Sequence, residues 1–487
     1  MKYKTFAPYP HQIEAHARAS NANHYAFLFE MGTGKTFTTI LMLRDIYTKN
    51  KAVTKTLIVS PAVTLSNWKD EILMHSFIPE EKIYIANQVG KKRLTKLNEY
   101  LEKDENIIII TNYEAFLNTD FLNRIILWDS KVIVADEMHY IKSEKSKRSK
   151  VLVTLADNVR SASGSVFGLT GTPVLNSPED LFMQWRFLDG GKTFTQNYFA
   201  FRAHFMKDEN SNWARKPGYF PKWVFRNERM PEIQKAISTS SMSVKKEEVL
   251  KDLPPMVVIN RKVKMSTDQR RMYDSLKEDF LTWIDNQQGI SEAVVANLAI
   301  VKALRLMQIA SGFVTTDEGN TIPIQDNPKI PVLKELLQQI TVNNKVILWC
   351  AFKYNYKQLA KVCEELGIKY VLLTGEQDTE QKNENVKEFR KDPNCKVIIA
   401  NRKAGGIGIN LVEASYSIVF SRNFNLADEL QSEARNFRGG SQIHEKITKI
   451  NLILEDSIEV EAIEMLSKKQ AIADNVIQLT RLIRSMK

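Results

Sequence analysis

The sequence predicts an α/β protein built from two parallel-sheet units in tandem, with helical insertions. Three observations carry this. The chain has 487 residues, too many for one hydrophobic core. Short apolar runs, rich in β-branched residues, recur along it and are continuous rather than alternating, as in strands buried on both faces of a parallel sheet. Helical patterns separate the runs, as a succession of βα units requires.

In the first half the runs are 56–61, 106–111, 131–137 and 165–173, with the apolar Tyr25-Ala26-Phe27-Leu28-Phe29 before them. In the second half they are 345–352, 370–375, 396–401, 416–421 and 447–454. These groups predict an N-terminal unit over 1–240 with a helical insertion near 180–235. They predict a C-terminal unit over 241–487 with a helical insertion near 265–315. The stripes Met272, Tyr273, Leu276, Phe280, Trp283 and Val294, Leu298, Val301, Leu304 have helical spacing and read as packing faces. After Asp456 a further amphipathic helix is expected to brace the second sheet.

Composition narrows the class. Apolar and charged residues make up 43% and 26% of the chain, as in a globular domain. No apolar stretch approaches bilayer length, and the N-terminus lacks an apolar signal core, so an intracellular, cytoplasmic protein without a membrane partner is expected. The three cysteines, Cys350, Cys363 and Cys395, are scattered, which suits neither a disulfide framework nor a zinc site. The net charge of +11 suggests a polyanionic partner, although solubility alone would explain it equally well.

The chemistry begins after the first apolar run. Gly32-Thr33-Gly34-Lys35-Thr36 precedes a helical pattern, where glycines let the backbone wrap phosphates and the helix N-terminus favours negative charge. Lys35 is placed to reach the β and γ phosphates of ATP and Thr36 to hold Mg²⁺. The strict phosphate-loop pattern also wants glycine at position 29, where this chain has Phe29. In Val132-Ile133-Val134-Ala135-Asp136-Glu137-Met138-His139 a strand delivers two adjacent carboxylates to its carboxyl end. Acidic pairs are common on surfaces, but here Asp136 suits the Mg²⁺ shell and Glu137 an attacking water. Between the last two runs of the second half, Arg435 and Arg438 stand three apart, the spacing of one helix face. Such a pair suits charge that develops on a γ-phosphate, and equally a solvated surface helix.

The ordered set resembles the SWI/SNF-like branch of helicase superfamily 2, and does so over nearly the whole chain. Pro10-His11-Gln12 looks like that family's adenine-reading motif. Glu30 to Thr36 matches its first motif, Ser60-Pro61 with Ser66-Asn67-Trp68 the motif after the second strand, and Thr111-Asn112-Tyr113-Glu114 the next. Asp136 to His139 is the DExH box. Leu169-Thr170-Gly171-Thr172-Pro173 with Leu175-Asn176-Ser177 matches the coupling motif, Ala404 to Leu411 the fifth, and Gln431, Arg435, Arg438 and Gln442 the sixth. The chain departs from the family at Asn401-Arg402-Lys403, where a hydroxyl residue usually precedes arginine, and at Phe424-Asn425-Leu426.

The resemblance implies two RecA-like lobes that close on ATP and Mg²⁺ and step along DNA. It implies nucleotide contacts from Gln12, Gly32, Thr33, Gly34, Lys35, Thr36 and Gly408, with Thr36 and Asp136 on the metal. Lys35, Asp136, Glu137, Arg435 and Arg438 would be catalytic, and His139, Thr170, Thr172 and Gln431 would couple the cycle to movement. Nucleic-acid backbone contacts would come from Ser60, Thr111, Lys142, Lys353, Thr374 and Arg402. A monomeric, minimal motor acting on duplex, forked or branched DNA is the expectation, with remodelling of forks and recombination junctions the leading substrate reading. A duplex translocase that displaces bound proteins, and a non-catalytic nucleic-acid scaffold, are the alternatives.

Overall fold

In a computed structural model of the chain the apolar runs become strands of two wholly parallel sheets, all of them internal except the run at 370–375, which forms an edge. Residues 7–88, 90–103, 106–171, 179–211, 221, 223–285, 301, 303–316, 319–402 and 409–467 are described. The fold divides into two compact units, one drawn chiefly from Met1–Glu209 and Lys222–Lys251, the other chiefly from Asp252–Lys469.

The first unit holds seven strands: β1 (His24–Phe29), β2 (Thr56–Ser60), β3 (Ile83–Ala86), β4 (Ile108–Asn112), β5 (Val132–Asp136), β6 (Ser165–Leu169) and β7 (Ser241–Val244). Their spatial order is β3-β4-β2-β5-β6-β1-β7. Strands β2 and β5 are buried at every position, which is why they read as unbroken apolar runs. Helices α1 (Pro10–Ala19), α2 (Lys35–Asn50) and α3 (Leu65–His75) belong to this unit. Leu65, Trp68, Ile72 and His75 repeat at helical spacing and form the buried stripe of α3. The phosphate loop follows β1, Ser60 ends β2, Asp136 ends β5 and Thr170 follows β6. All four therefore lie at the carboxyl edge of the sheet, where ligands of open α/β sheets bind.

β7 lies beyond position 240, yet it pairs with β1 over Ala26–Phe29. The first unit thus extends through Lys251, whereas the sequence alone starts the second unit at 241. Four residues, Ser241-Met242-Ser243-Val244, are too few and too polar to announce a strand. Their partner, not their composition, makes them one.

The second unit holds β8 (Met256–Val263), β9 (Lys345–Cys350), β10 (Tyr370–Leu373), β11 (Val397–Asn401), β12 (Ala414–Val419) and β13 (Ile447–Leu454), in the order β8-β13-β12-β9-β11-β10. Of the predicted helical stripes, Tyr273 is buried in a cluster with Leu306, Ile309 and Ile324, against which Met272 and Leu276 pack. Val301 and Leu304 are 45% and 43% exposed, which corrects their reading as part of a packing face. Leu306, Met307, Ile309 and Ala310 take that role one turn later. Phe280, Trp283, Val294 and Leu298 have side chains outside the described residues.

The segment after Asp456 is held by an ion pair. Lys329, in helix α4 (Lys329–Ile340), places Nζ 2.7 Å from Glu459 Oε1, and both side chains are fully buried. Lys329 also donates to the Phe420 carbonyl (3.0 Å), and Glu459 Oε2 accepts from Leu454 N (2.9 Å). Burial pulls the Lys329 pKa down against the pull of the Glu459 carboxylate. Removing one partner leaves an uncompensated buried charge, which costs about 3–5 kcal/mol. Lys329→Met or Glu459→Gln should therefore lower the denaturation midpoint of this unit sharply. The double change to Met and Leu should recover most of the loss, and a denaturant melt followed by circular dichroism checks both.

Candidate nucleotide site

The phosphate loop is shaped by backbone geometry. Gly34 caps α2 with φ +85°, a left-handed conformation that side chains other than hydrogen resist. A Cβ there would lie 2.0 Å from Gln12 Nε2, so any other residue would push the Gln12 amide away from the loop. Gln12 packs against the loop, donates to the Gly34 carbonyl (3.3 Å) and accepts from Tyr9 N (2.8 Å). His11, whose pKa is lowered by burial, brings Nε2 to 2.9 Å from the Thr33 carbonyl. A carbonyl only accepts, so the ring proton resides on Nε2. Lys35 donates to the Phe29 carbonyl (2.8 Å). Glu30 ties the loop to the chain beyond β7 by accepting from Lys246 N (2.7 Å).

The acid pair stands on β5. Registration of β2 against β5 pairs Val59 with Ala135, which sets Ser60 beside Asp136. Ser60 Oγ donates to Asp136 Oδ2 at 2.9 Å, and the Trp68 indole Nε1 donates to the same oxygen at 2.8 Å. Tyr113 donates its hydroxyl to the Asp136 carbonyl (2.6 Å). Burial, and then the neighbouring Glu137 carboxylate, push the Asp136 pKa up; Trp68, Lys35 and Ser60 oppose them. A carboxylate so placed calls for a cation. Mg²⁺ held by one carboxylate, a hydroxyl and substrate phosphates fits this setting. Among the described residues no cluster of three or more His, Cys, Asp or Glu offers a different metal site.

Glu137 follows with φ +53°, an uncommon conformation for a residue with a Cβ. It lies next to His139, whose Nδ1 is 3.2 Å from Glu137 Oε2 and 3.1 Å from Thr170 Oγ1. Thr170 in turn donates its amide to the Phe27 carbonyl of β1 (3.1 Å). The expected site residues Gln12, Gly32, Thr33, Gly34, Lys35, Thr36, Asp136, Glu137, His139 and Thr170 thus converge on one edge of the first sheet. Thr172 and Gly408 lie outside the described residues.

In the second unit Gln431 lies in helix α5 (Leu426–Glu433). The expected shared helix face for Arg435 and Arg438 is corrected, because α5 ends at Glu433 and both arginines stand in the turns that follow. The reason is tertiary. The Arg435 carbonyl accepts from Leu411 N (2.9 Å) instead of continuing a helix, and buried Asn436 donates to the Ala414 carbonyl (3.1 Å).

Four of the six residues expected on a nucleic-acid backbone are buried, which corrects that reading for them. Ser60 serves Asp136, and Thr111 Oγ1 donates to the Ala86 carbonyl (3.2 Å). Thr374 Oγ1 accepts from Glu376 N (3.3 Å) and so closes its own turn. Arg402, 1% exposed, is bound to Glu429, which Lys449 also holds at 2.6 Å. Burial opposes the Glu429 charge, yet Arg402, Lys449 and Arg422 keep its carboxyl well below the usual range. Lys142 is partly exposed, and the Lys353 side chain is 79% exposed, 3.2 Å from Glu376. Sequence reasoning assigned no role to Trp68, Tyr113 or His11, although all three sit inside recognised motifs. Their signal was the polar end on a buried aromatic or imidazole ring, which demands a partner.

Comparison with known proteins follows this geometry. The profile of the SNF2-related domain matches residues 17–311, and that of the helicase conserved C-terminal domain matches 328–440. An uncharacterized ATP-dependent helicase of Mycoplasma genitalium is 27% identical over 453 residues, covering 92% of this chain and 40% of its own length. The CHD3-type chromatin-remodeling factor PICKLE of Arabidopsis thaliana is 24% identical over 492 residues, covering 94% of this chain and 33% of its own. The chain therefore spans about two fifths or less of these relatives. The Sulfolobus solfataricus SWI2/SNF2 ATPase core in complex with dsDNA aligns over 99% of this chain and 96% of its own, at 22% identity and a TM-score of 0.44. Since the first profile takes in more than half of its residues, this chain belongs to the SNF2-related family.

Proposed function

We propose that the chain is an ATP-dependent motor that couples hydrolysis to movement on DNA and remodels branched DNA such as forks and recombination junctions. The observation that supports this most is the convergence of Lys35, Thr36, Asp136 and Glu137 on one sheet edge, with Asp136 braced by two donors. In this reading Lys35 neutralises the β and γ phosphates, Thr36 and Asp136 hold Mg²⁺, and Glu137 orients and deprotonates water. When bound, Mg²⁺ would supply charge neutralisation. Gln12 reads adenine, and Arg435 and Arg438 stabilise transition-state charge. His139, Thr170, Thr172 and Gln431 couple the cycle to movement, and Gly408 belongs with the nucleotide contacts. Lys142 and Lys353 contact phosphates of the track, which positions without reading sequence. The net charge of +11 favours such a polyanion.

An ATPase titration with single-stranded, duplex, forked and four-way DNA, and RNA as control, tests the proposal. Stimulation by DNA, greatest with forked or four-way substrates, is the expected result. Hydrolysis indifferent to every nucleic acid would remove the motor reading, and equal stimulation by plain duplex would remove the branched-DNA part. Lys35→Ala should weaken ATP binding about 10- to 100-fold, the worth of a charge-assisted contact, and leave DNA affinity unchanged. Fluorescent-nucleotide titration beside a DNA-binding assay measures both.

A further inference from the structure

Two side chains outside the phosphate loop and the acid pair converge on the metal-holding carboxylate. Ser60, at the end of β2, is fully buried, and Trp68, in the inner stripe of α3, is 1% exposed. Their donors reach Asp136 Oδ2 at 2.9 and 2.8 Å. Parallel registration of β2 on β5 supplies the first donor, and the packed stripe of Leu65, Trp68, Ile72 and His75 holds the second.

We propose that Trp68 and Ser60 are positioning residues for the metal: with both donors on Oδ2, they fix the plane of the Asp136 carboxylate and leave Oδ1 as the oxygen presented to the cation. The inference rests on the ATP-site reading above. A carboxylate on a strand end has a broad terminal torsion, and a metal ligand must be held in one orientation to bind well. Two donors on one oxygen supply that restraint at a buried carboxylate. Packing alone would account for a buried tryptophan. It does not account for a buried serine whose hydroxyl, besides meeting Thr64 Oγ1, lies 2.9 Å from the same carboxylate oxygen.

The test uses the full chain with Mn²⁺ as probe, its binding in the presence of ADP followed by electron paramagnetic resonance. Trp68→Phe removes the N–H and keeps most of the ring, and Ser60→Ala removes one oxygen. Each should weaken Mn²⁺ binding roughly 10-fold or more, the usual effect of deleting a partner behind a metal ligand. Nucleotide affinity measured in EDTA should stay at the wild-type value, and excess Mg²⁺ should restore much of kcat. Trp128→Phe, at a tryptophan equally buried in the same unit, controls for loosened packing and should leave Mn²⁺ affinity alone. Wild-type Mn²⁺ affinity in folded Trp68→Phe and Ser60→Ala would overturn the proposal, and so would an equal loss in Trp128→Phe. If the wild-type chain itself bound no Mn²⁺ with ADP, the ATP-site reading would fall first. Should Trp68→Phe melt early, Ser60→Ala decides the matter, since it leaves the aromatic core untouched.

Discussion

Arg438→Ala should bind ATP nearly as well as the wild type and hydrolyse it roughly 10³- to 10⁵-fold more slowly, the range contributed by arginines that meet a transferring phosphoryl group. Arg438 and Arg435 stand in turns rather than on a helix, and their segment is fixed at two points. The Arg435 carbonyl is held by Leu411 N and the Asn436 amide by the Ala414 carbonyl. A segment fixed by the Arg435 carbonyl and the Asn436 side chain keeps its course when the Arg438 side chain is shortened, so Arg438→Ala should remain folded. Arg435→Ala should be similarly slow, and the double variant little worse than the slower single, because groups that act together do not contribute additively. DNA should also cease to stimulate turnover. Thermal melting, nucleotide affinity and DNA-stimulated turnover on all three variants distinguish the outcomes. Solvated arginines would leave all three measurements unchanged, and purely structural ones would lower the melting temperature first. A folded Arg438→Ala with wild-type stimulated turnover removes the assignment.

Glu137→Gln should leave ATP and Mg²⁺ bound and slow single-turnover hydrolysis by about 10²- to 10⁴-fold, the usual worth of a general base. The substitution changes one oxygen to an amide nitrogen and keeps the backbone demand, φ +53°, the same. It also tests the link to His139 Nδ1, 3.2 Å away, and through it to Thr170. If the link carries coupling, His139→Ala should hydrolyse ATP yet lose part of its DNA stimulation, whereas Glu137→Gln loses hydrolysis with or without DNA. Rapid-quench measurement at enzyme excess separates the chemical step from product release. Wild-type single-turnover rates in Glu137→Gln would exclude Glu137 as the base.

Much of this protein is legible in its sequence because its strands are buried on both faces. Runs such as Val132–Asp136 and Ile447–Leu454 are buried throughout, so their composition reports their environment directly. The phosphate loop and acid pair are legible for a related reason, since each is a local device whose spacing follows from one loop or one strand end. β3, β7 and β8 escaped notice. β7 is four residues completed by β1, and β8 pairs over its whole length with β13 while most of its side chains face solvent.

Sequence by itself determined the fold class, the family and the residues that form the candidate ATP site, because those depend on short stretches with a strong local signature. Tertiary structure alone decided which polar residues are available for contact. Ser60 and Arg402 occupy motif positions that a linear reading sends outward to a nucleic-acid backbone. The fold turns Ser60 onto Asp136 through the register of two strands, and Arg402 onto Glu429 through a buried ion cluster. A hydroxyl or guanidinium excluded from water takes the acceptor that packing brings to it, and that acceptor can lie 76 residues away, as Asp136 does from Ser60.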